Sequence, residues 1–141
     1  MLLVASGTVS AQRAGGGSGD PTGYKDTYKD YFTVGVAVNM RNVTDSAQMA
    51  LIKRNFNSVT AENAMKPGSL QPREGVFNWE QADRIANFCR ENGIEMRGHC
   101  LCWHNQFADW MFVDKKGKDV SKEVFYERLR THIHAVVNRY K

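Results

Sequence analysis

A chain of 141 residues with 42% hydrophobic and 24% charged content is composed like one small soluble globular domain. Its net charge of +4 comes from scattered basic residues; the densest run, Lys115, Lys116 and Lys118 around Gly117, reads as a solvated loop, and neither the basic stripe nor the stacking platform of a nucleic-acid binder is visible. The three cysteines, Cys89, Cys100 and Cys102, are an odd number and do not make a disulfide framework.

Residues 1–11 are apolar and small and end in Val9-Ser10-Ala11, which resembles a signal-peptidase site, although a basic n-region is absent. The run is too short to span a bilayer, so no membrane partner is expected. Export is the favoured reading, with a secreted or periplasmic location. A Gly/Ser/Pro-rich stretch over 14–23 should behave as a flexible spacer. Residues 1–27 are therefore set apart as signal-like segment and spacer, and the folded region is expected over 28–141.

Residues 31–39 are apolar and β-branched and read as a buried strand. Asp45 then opens a helix, with Gln48 three residues on in a capping-box arrangement and Met49, Ile52 and Phe56 at helical spacing. Residues 58–61 form a short second strand that ends at Glu62-Asn63. The stretch 66–78 holds Pro67, Gly68, Pro72 and Gly75 and is a long loop. Asn78 is the expected cap of a second helix with Ala82, Ile85, Ala86 and Cys89 as its buried stripe and Gly93 as its stop. A third strand is expected over 94–103. Ser121 is the expected cap of a third helix, lined on one face by Phe125, Leu129, His132, Ile133, Val136 and Tyr140.

Strand–helix repeated three times argues for a parallel α/β architecture, either an open doubly wound sheet or part of a (β/α)8 barrel. The barrel takes about 250 residues, so three units are less than half of one. No GxGxxG follows the first strand, and no GxSxG or HExxH occurs, which leaves dinucleotide binding, elbow-type hydrolysis and zinc proteolysis without their motifs. His99, Cys100, Cys102 and His104 invite a metal reading, but the C-x-C spacing is not that of a zinc site, and buried thiols are the preferred account. His132 reads as a core histidine and His134 as solvated; Trp110 either packs its loop or extends a sugar platform.

Polar residues gather where strands end. Asn39 ends the first strand, Glu62 and Asn63 the second, and His99, Trp103 and His104 crowd the third. In parallel α/β folds these C-terminal ends are where sites are built. Carboxylate, amide and ammonium groups suit sugar hydroxyls, which both donate and accept, and indole suits the flat C–H face of a sugar ring. Glu62, Asn63 and Lys66, within five residues, supply all three polar types.

The segments TAENAMKP (60–67), FNWEQAD (77–83) and RGHCLCWH (97–104), in this order and spacing, resemble the endo-1,4-β-xylanases of glycoside hydrolase family 10. The weaker similarity runs from about 31 to 141. The resemblance implies a partial (β/α)8 TIM barrel, its first three βα units, from an enzyme that hydrolyses internal β-1,4 bonds of xylan with retention. It implies that Glu62, Asn63 and Lys66 hydrogen-bond xylose hydroxyls, that His99 and Trp103 hold the sugar at the cleavage point, and that Gln106 contacts substrate; His104 matches a family position without a definite role. Strand alternation would put His99, Leu101 and Trp103 on one face and Cys100, Cys102 and His104 on the other. A retaining mechanism needs two carboxylates about 5–5.5 Å apart. In the family both lie on later strands, one in a W-D-x-x-N-E type motif, so no catalytic residue is expected within these 141, and no metal or organic cofactor is implied. The expected partners are xylan or xylo-oligosaccharides and the C-terminal barrel segment; the alternative is a non-catalytic xylan-binding remnant. Three parallel strands would also leave an unpaired edge and strip inward residues such as Val34, Val36 or Leu101 of their opposing layers, which predicts a poorly soluble or partly unfolded isolated chain.

Overall fold

The structure, a computed structural model, describes residues 22–141. The signal-like run and nearly all of the spacer lie outside the described residues. Tyr24–Thr27 form a short helix, α1. It docks on residues 53–55. Tyr24 N–H reaches Asn55 Oδ1 at 3.4 Å, and Lys25 Nζ donates to Lys53 O at 2.7 Å. A Cβ on Gly23 would collide with Arg54 O at 1.8 Å, so only glycine admits this approach.

Strands β1 (Gly35–Val38), β2 (Ser58–Ala61) and β3 (Glu95–Arg97) form one parallel sheet in that order. The second strand has the predicted bounds; the first and third are shorter than expected. For β1 the reason is its partner: β2 offers four residues, and before Gly35 a side chain takes over, with Asn57 Oδ1 accepting Val34 N–H at 2.8 Å. For β3 the register ends at Thr60–Arg97, because β2 turns away at Glu62 and leaves the chain beyond Arg97 without a ladder.

The pleat sorts residues onto two faces. Gly35, Ser58 and Glu95 lie in one row and Ala37, Thr60 and Arg97 in the next, on an open face. Val36, Val38, Val59, Ala61 and Met96 point the other way, into the core beneath the helices. Val36 therefore belongs to the covered layer rather than the inward position expected from the sequence.

Helix α2 (Ser46–Asn55) is capped as predicted by Asp45, whose Oδ1 accepts Ala47 N–H at 2.9 Å and Gln48 N–H at 3.0 Å. The box is only half formed, because the Gln48 side chain accepts from Asn42 instead. The long loop contains a one-turn helix, α3 (Pro67–Leu70), begun by proline in the first turn. Helix α4 (Glu80–Glu91) starts one residue later than a cap at Asn78 would place it. Asn78 N–H is committed to Leu70 O at 2.7 Å, and Trp79 takes the N-cap position. Ala82, Ile85, Phe88 and Cys89 are its buried face, and Gly93, at φ +63°, stops it. Helix α5 (Lys122–Tyr140) is capped by Ser121. Its last turn is pinned to α4, where Asp83 receives Arg139 at 2.5 Å and the Tyr140 hydroxyl at 3.0 Å. The Arg139 hydrogen bond holds the Asp83 carboxyl below its usual range. Among the described residues no helix is long and apolar enough to cross a membrane.

Candidate functional site

Because the strands are parallel, one end of the sheet collects every segment that follows a strand. Glu62 and Asn63 leave β2 there, fixed by Glu62 N–H donating to Val38 O at 2.9 Å. Both side chains are exposed. The chain then closes a tight turn through Lys66 N–H and Asn63 O at 3.1 Å and enters α3.

Lys66 is the centre of the arrangement. Only 8% of it is exposed. Its ammonium donates to Asn63 Oδ1 at 2.8 Å and to Gln106 Oε1, and it sits 4.7 Å from the centre of the Trp103 ring, within the range of a cation–π contact. An ammonium has three N–H donors and no acceptor. Two are used by the amide oxygens, and one is left for a ligand. The same chemistry orients both amides: their oxygens must face Lys66, so their NH2 groups face away and are free to donate. His99 packs against Trp103, with ring centres 5.7 Å apart. Asn63, Lys66, His99, Trp103 and Gln106 thus come together, with Glu62 beside them at the strand end.

The segment carrying His99 and Trp103 is not a strand. Past Arg97 the chain loops, and the His99–Cys100 peptide is cis. The expected alternation fails there: Cys100 and Leu101, predicted for opposite faces, line the same 230 Å³ cleft with Met65 and Val137. His104 does not oppose Trp103 either; it meets the indole edge at 5.0 Å and is exposed. Cys89 is buried, and desolvation pushes its thiol up to about 11. Cys102, in contrast, is exposed rather than a buried thiol. Among the described residues no group of three or more His, Cys, Asp or Glu could hold a metal ion.

Two features of the site escape a sequence reading. Gly68 looks like a loop marker, yet its N–H donates to Gln106 O at 2.8 Å and a Cβ there would lie 2.8 Å from that same oxygen. Glycine is what lets the Gln106 loop sit on α3. Gln106 itself takes φ +56°. Trp110 resolves toward packing: its indole N–H donates to Gln71 O at 2.8 Å, and Arg128 lies 5.7 Å from its ring centre. Arg128 also donates to Val113 O at 3.0 Å and pairs with Glu74 at 3.1 Å, so it clamps the loop. His132 is the core histidine expected, and His134 is exposed.

The profile of Glycosyl hydrolase family 10 matches residues 23–141. An endo-1,4-beta-xylanase/feruloyl esterase from Xylanibacter ruminicola is 68% identical over 146 residues, covering 99% of this chain and 19% of that protein. A psychrophilic glycoside hydrolase family 10 endo-beta-1,4-xylanase superposes with a TM-score of 0.82 at 60% identity, over 84% of this chain and 36% of its own. A further structure, in complex with xylotriose, gives a TM-score of 0.80 at 36% identity, with the same two coverages. The chain thus spans about a fifth of that curated relative and about a third of the solved domains. These structural neighbours are (β/α)8 barrels, and the parallel order β1-β2-β3 with its helices corresponds to their first βα units. With three motifs in register, a profile match across nearly the whole described chain and a common fold, this chain belongs to glycosyl hydrolase family 10.

Proposed function

We propose that the chain is the N-terminal portion of a secreted or periplasmic endo-1,4-β-xylanase, and that it supplies the sugar-binding half of the cleft. The observation that carries this reading is the Lys66 ammonium, held by Asn63 and Gln106 over Trp103 at the C-terminal end of the sheet. Lys66 offers its remaining N–H, and the two amides offer NH2 groups, to xylose oxygens; Glu62 accepts from xylose hydroxyls. Trp103 and His99 lie against the sugar at the cleavage point and contribute apolar burial. The acid/base and nucleophilic glutamates of the retaining mechanism lie on strands outside these residues. Within this chain the work is therefore positioning: hydrogen bonds that tighten as the ring distorts lower the barrier, whereas equal binding of substrate would not.

The reading is tested in a completed barrel, with residues 23–141 replacing the equivalent segment of the 60% identical psychrophilic xylanase. Release of reducing ends from xylan is expected, with the β-anomer as first product by NMR. A folded, monomeric barrel that binds xylo-oligosaccharides without cleaving them would favour the binding-remnant alternative. One that does neither would contradict both.

A further inference from the structure

Beneath the sugar-facing cluster lies a buried polar pair that takes no part in it. Gln71 is 2% exposed and His132, on α5, is fully buried. His132 Nδ1 stands 2.9 Å from Gln71 Oε1. An amide oxygen only accepts, so Nδ1 carries a proton and donates it to Gln71. Nε2 is buried without a partner among the described residues. Burial favours the neutral imidazole, since desolvation lowers its pKa below the ordinary range. A buried polar pair costs desolvation that an apolar pair of equal shape would avoid, so stability alone gives no reason for it.

Its connections supply another reason. Gln71 follows directly on α3, at whose start Lys66 stands. A single helical turn has little stiffness of its own and takes its position from its ties. At its front, Gly68 N–H binds Gln106 O at 2.8 Å. At its end, Gln71 O accepts the Trp110 indole at 2.8 Å while the Gln71 side chain is held from behind by His132. The turn bearing Lys66 and the loop bearing Gln106 are thus joined at two points, and the second point is braced on a rigid 19-residue helix.

We propose that His132 and Gln71 are positioning residues: they brace the α3 turn against the 106–110 loop and so set the Lys66–Gln106 spacing that meets the sugar. The proposal rests on the sugar-site reading of that cluster. Neither residue touches substrate.

The test uses the completed barrel and xylotetraose as probe. His132→Leu keeps bulk and loses the donor; His132→Asn places an amide N–H where Nδ1–H stood. Expected is a fall of about tenfold in kcat/KM for the leucine variant, carried mainly by KM, and recovery to within about twofold by asparagine. Trp110→Phe removes the second tie and should lower kcat/KM by about threefold, which decides the matter if His132→Leu does not fold. Lowered Tm with wild-type KM and kcat in His132→Leu, asparagine no better than leucine, or, where His132→Leu does not fold, a kinetically silent Trp110→Phe would overturn the proposal. Lys66→Met in the same assay separates the two ideas: if that variant is silent, the sugar-site reading fails first.

Discussion

Lys66→Met in the completed barrel is expected to lower kcat/KM on xylo-oligosaccharides by about 100-fold while leaving Tm within about 2 °C. Methionine keeps the apolar stem that Lys66 buries and removes only the ammonium. What is lost is a charged donor, worth about 1.5–3 kcal/mol when its hydrogen bond forms in a dry site, or roughly 10- to 150-fold. The loss also spreads. Asn63 and Gln106 owe their orientation to Lys66, which both amide oxygens face. Without it each amide can turn over, and two further donors to the sugar become unreliable. Trp103 loses its cation–π partner at 4.7 Å at the same time. Stability is spared because the core under the site is built from other residues, among them Val59, Leu70 and Ile85, all fully buried. A variant within twofold of wild type would remove Lys66 from the site.

The second large effect concerns the 141-residue chain by itself. It is expected to unfold without a sharp cooperative transition and to associate at micromolar concentration. One face of its sheet is covered by helices, but on the other Gly35, Ala37, Glu95 and Arg97 are exposed and Ser58 and Thr60 only half-buried. Both β1 and β3 present free edges within the described sheet, the kind of surface that recruits another chain. Leu101 and Val137 are more than one-third exposed beside the β3 edge, where a continuing barrel would bury them. Differential scanning calorimetry with light scattering checks this. Mixing with a separately produced segment bearing the remaining barrel units should restore a single sharp transition. A sharp transition in the monomeric chain alone would show that three units close their own core.

What could be read in advance follows local chemistry. The Asp45 cap, the Gly93 stop, the bounds of β2 and the core role of His132 each depend on one residue type in one local setting, and the structure has them. What could not be read depends on partners distant in sequence. β3 ends at Arg97 because β2, more than thirty residues earlier, turns away at Glu62. The alternation expected over 99–104 falls with it. Trp79 rather than Asn78 stands at the N-cap of α4, and α3 hides in a stretch whose prolines and glycines announce only a loop. For the site, the residue types were legible from TAENAMKP and RGHCLCWH. Their meeting was not: Gln106 reaches Lys66 across forty positions, through a close approach that Gly68 alone permits.

In the proposed site Glu62, Asn63, Lys66, His99, Trp103 and Gln106 together hold a xylose unit. A crystal structure of the completed barrel with xylotriose tests it most directly. Expected is a sugar ring against Trp103, with Lys66 Nζ and the Asn63 amide within hydrogen-bond distance of its hydroxyls. A xylotriose bound elsewhere on the barrel, with the Lys66 cluster solvated and unchanged, would contradict it.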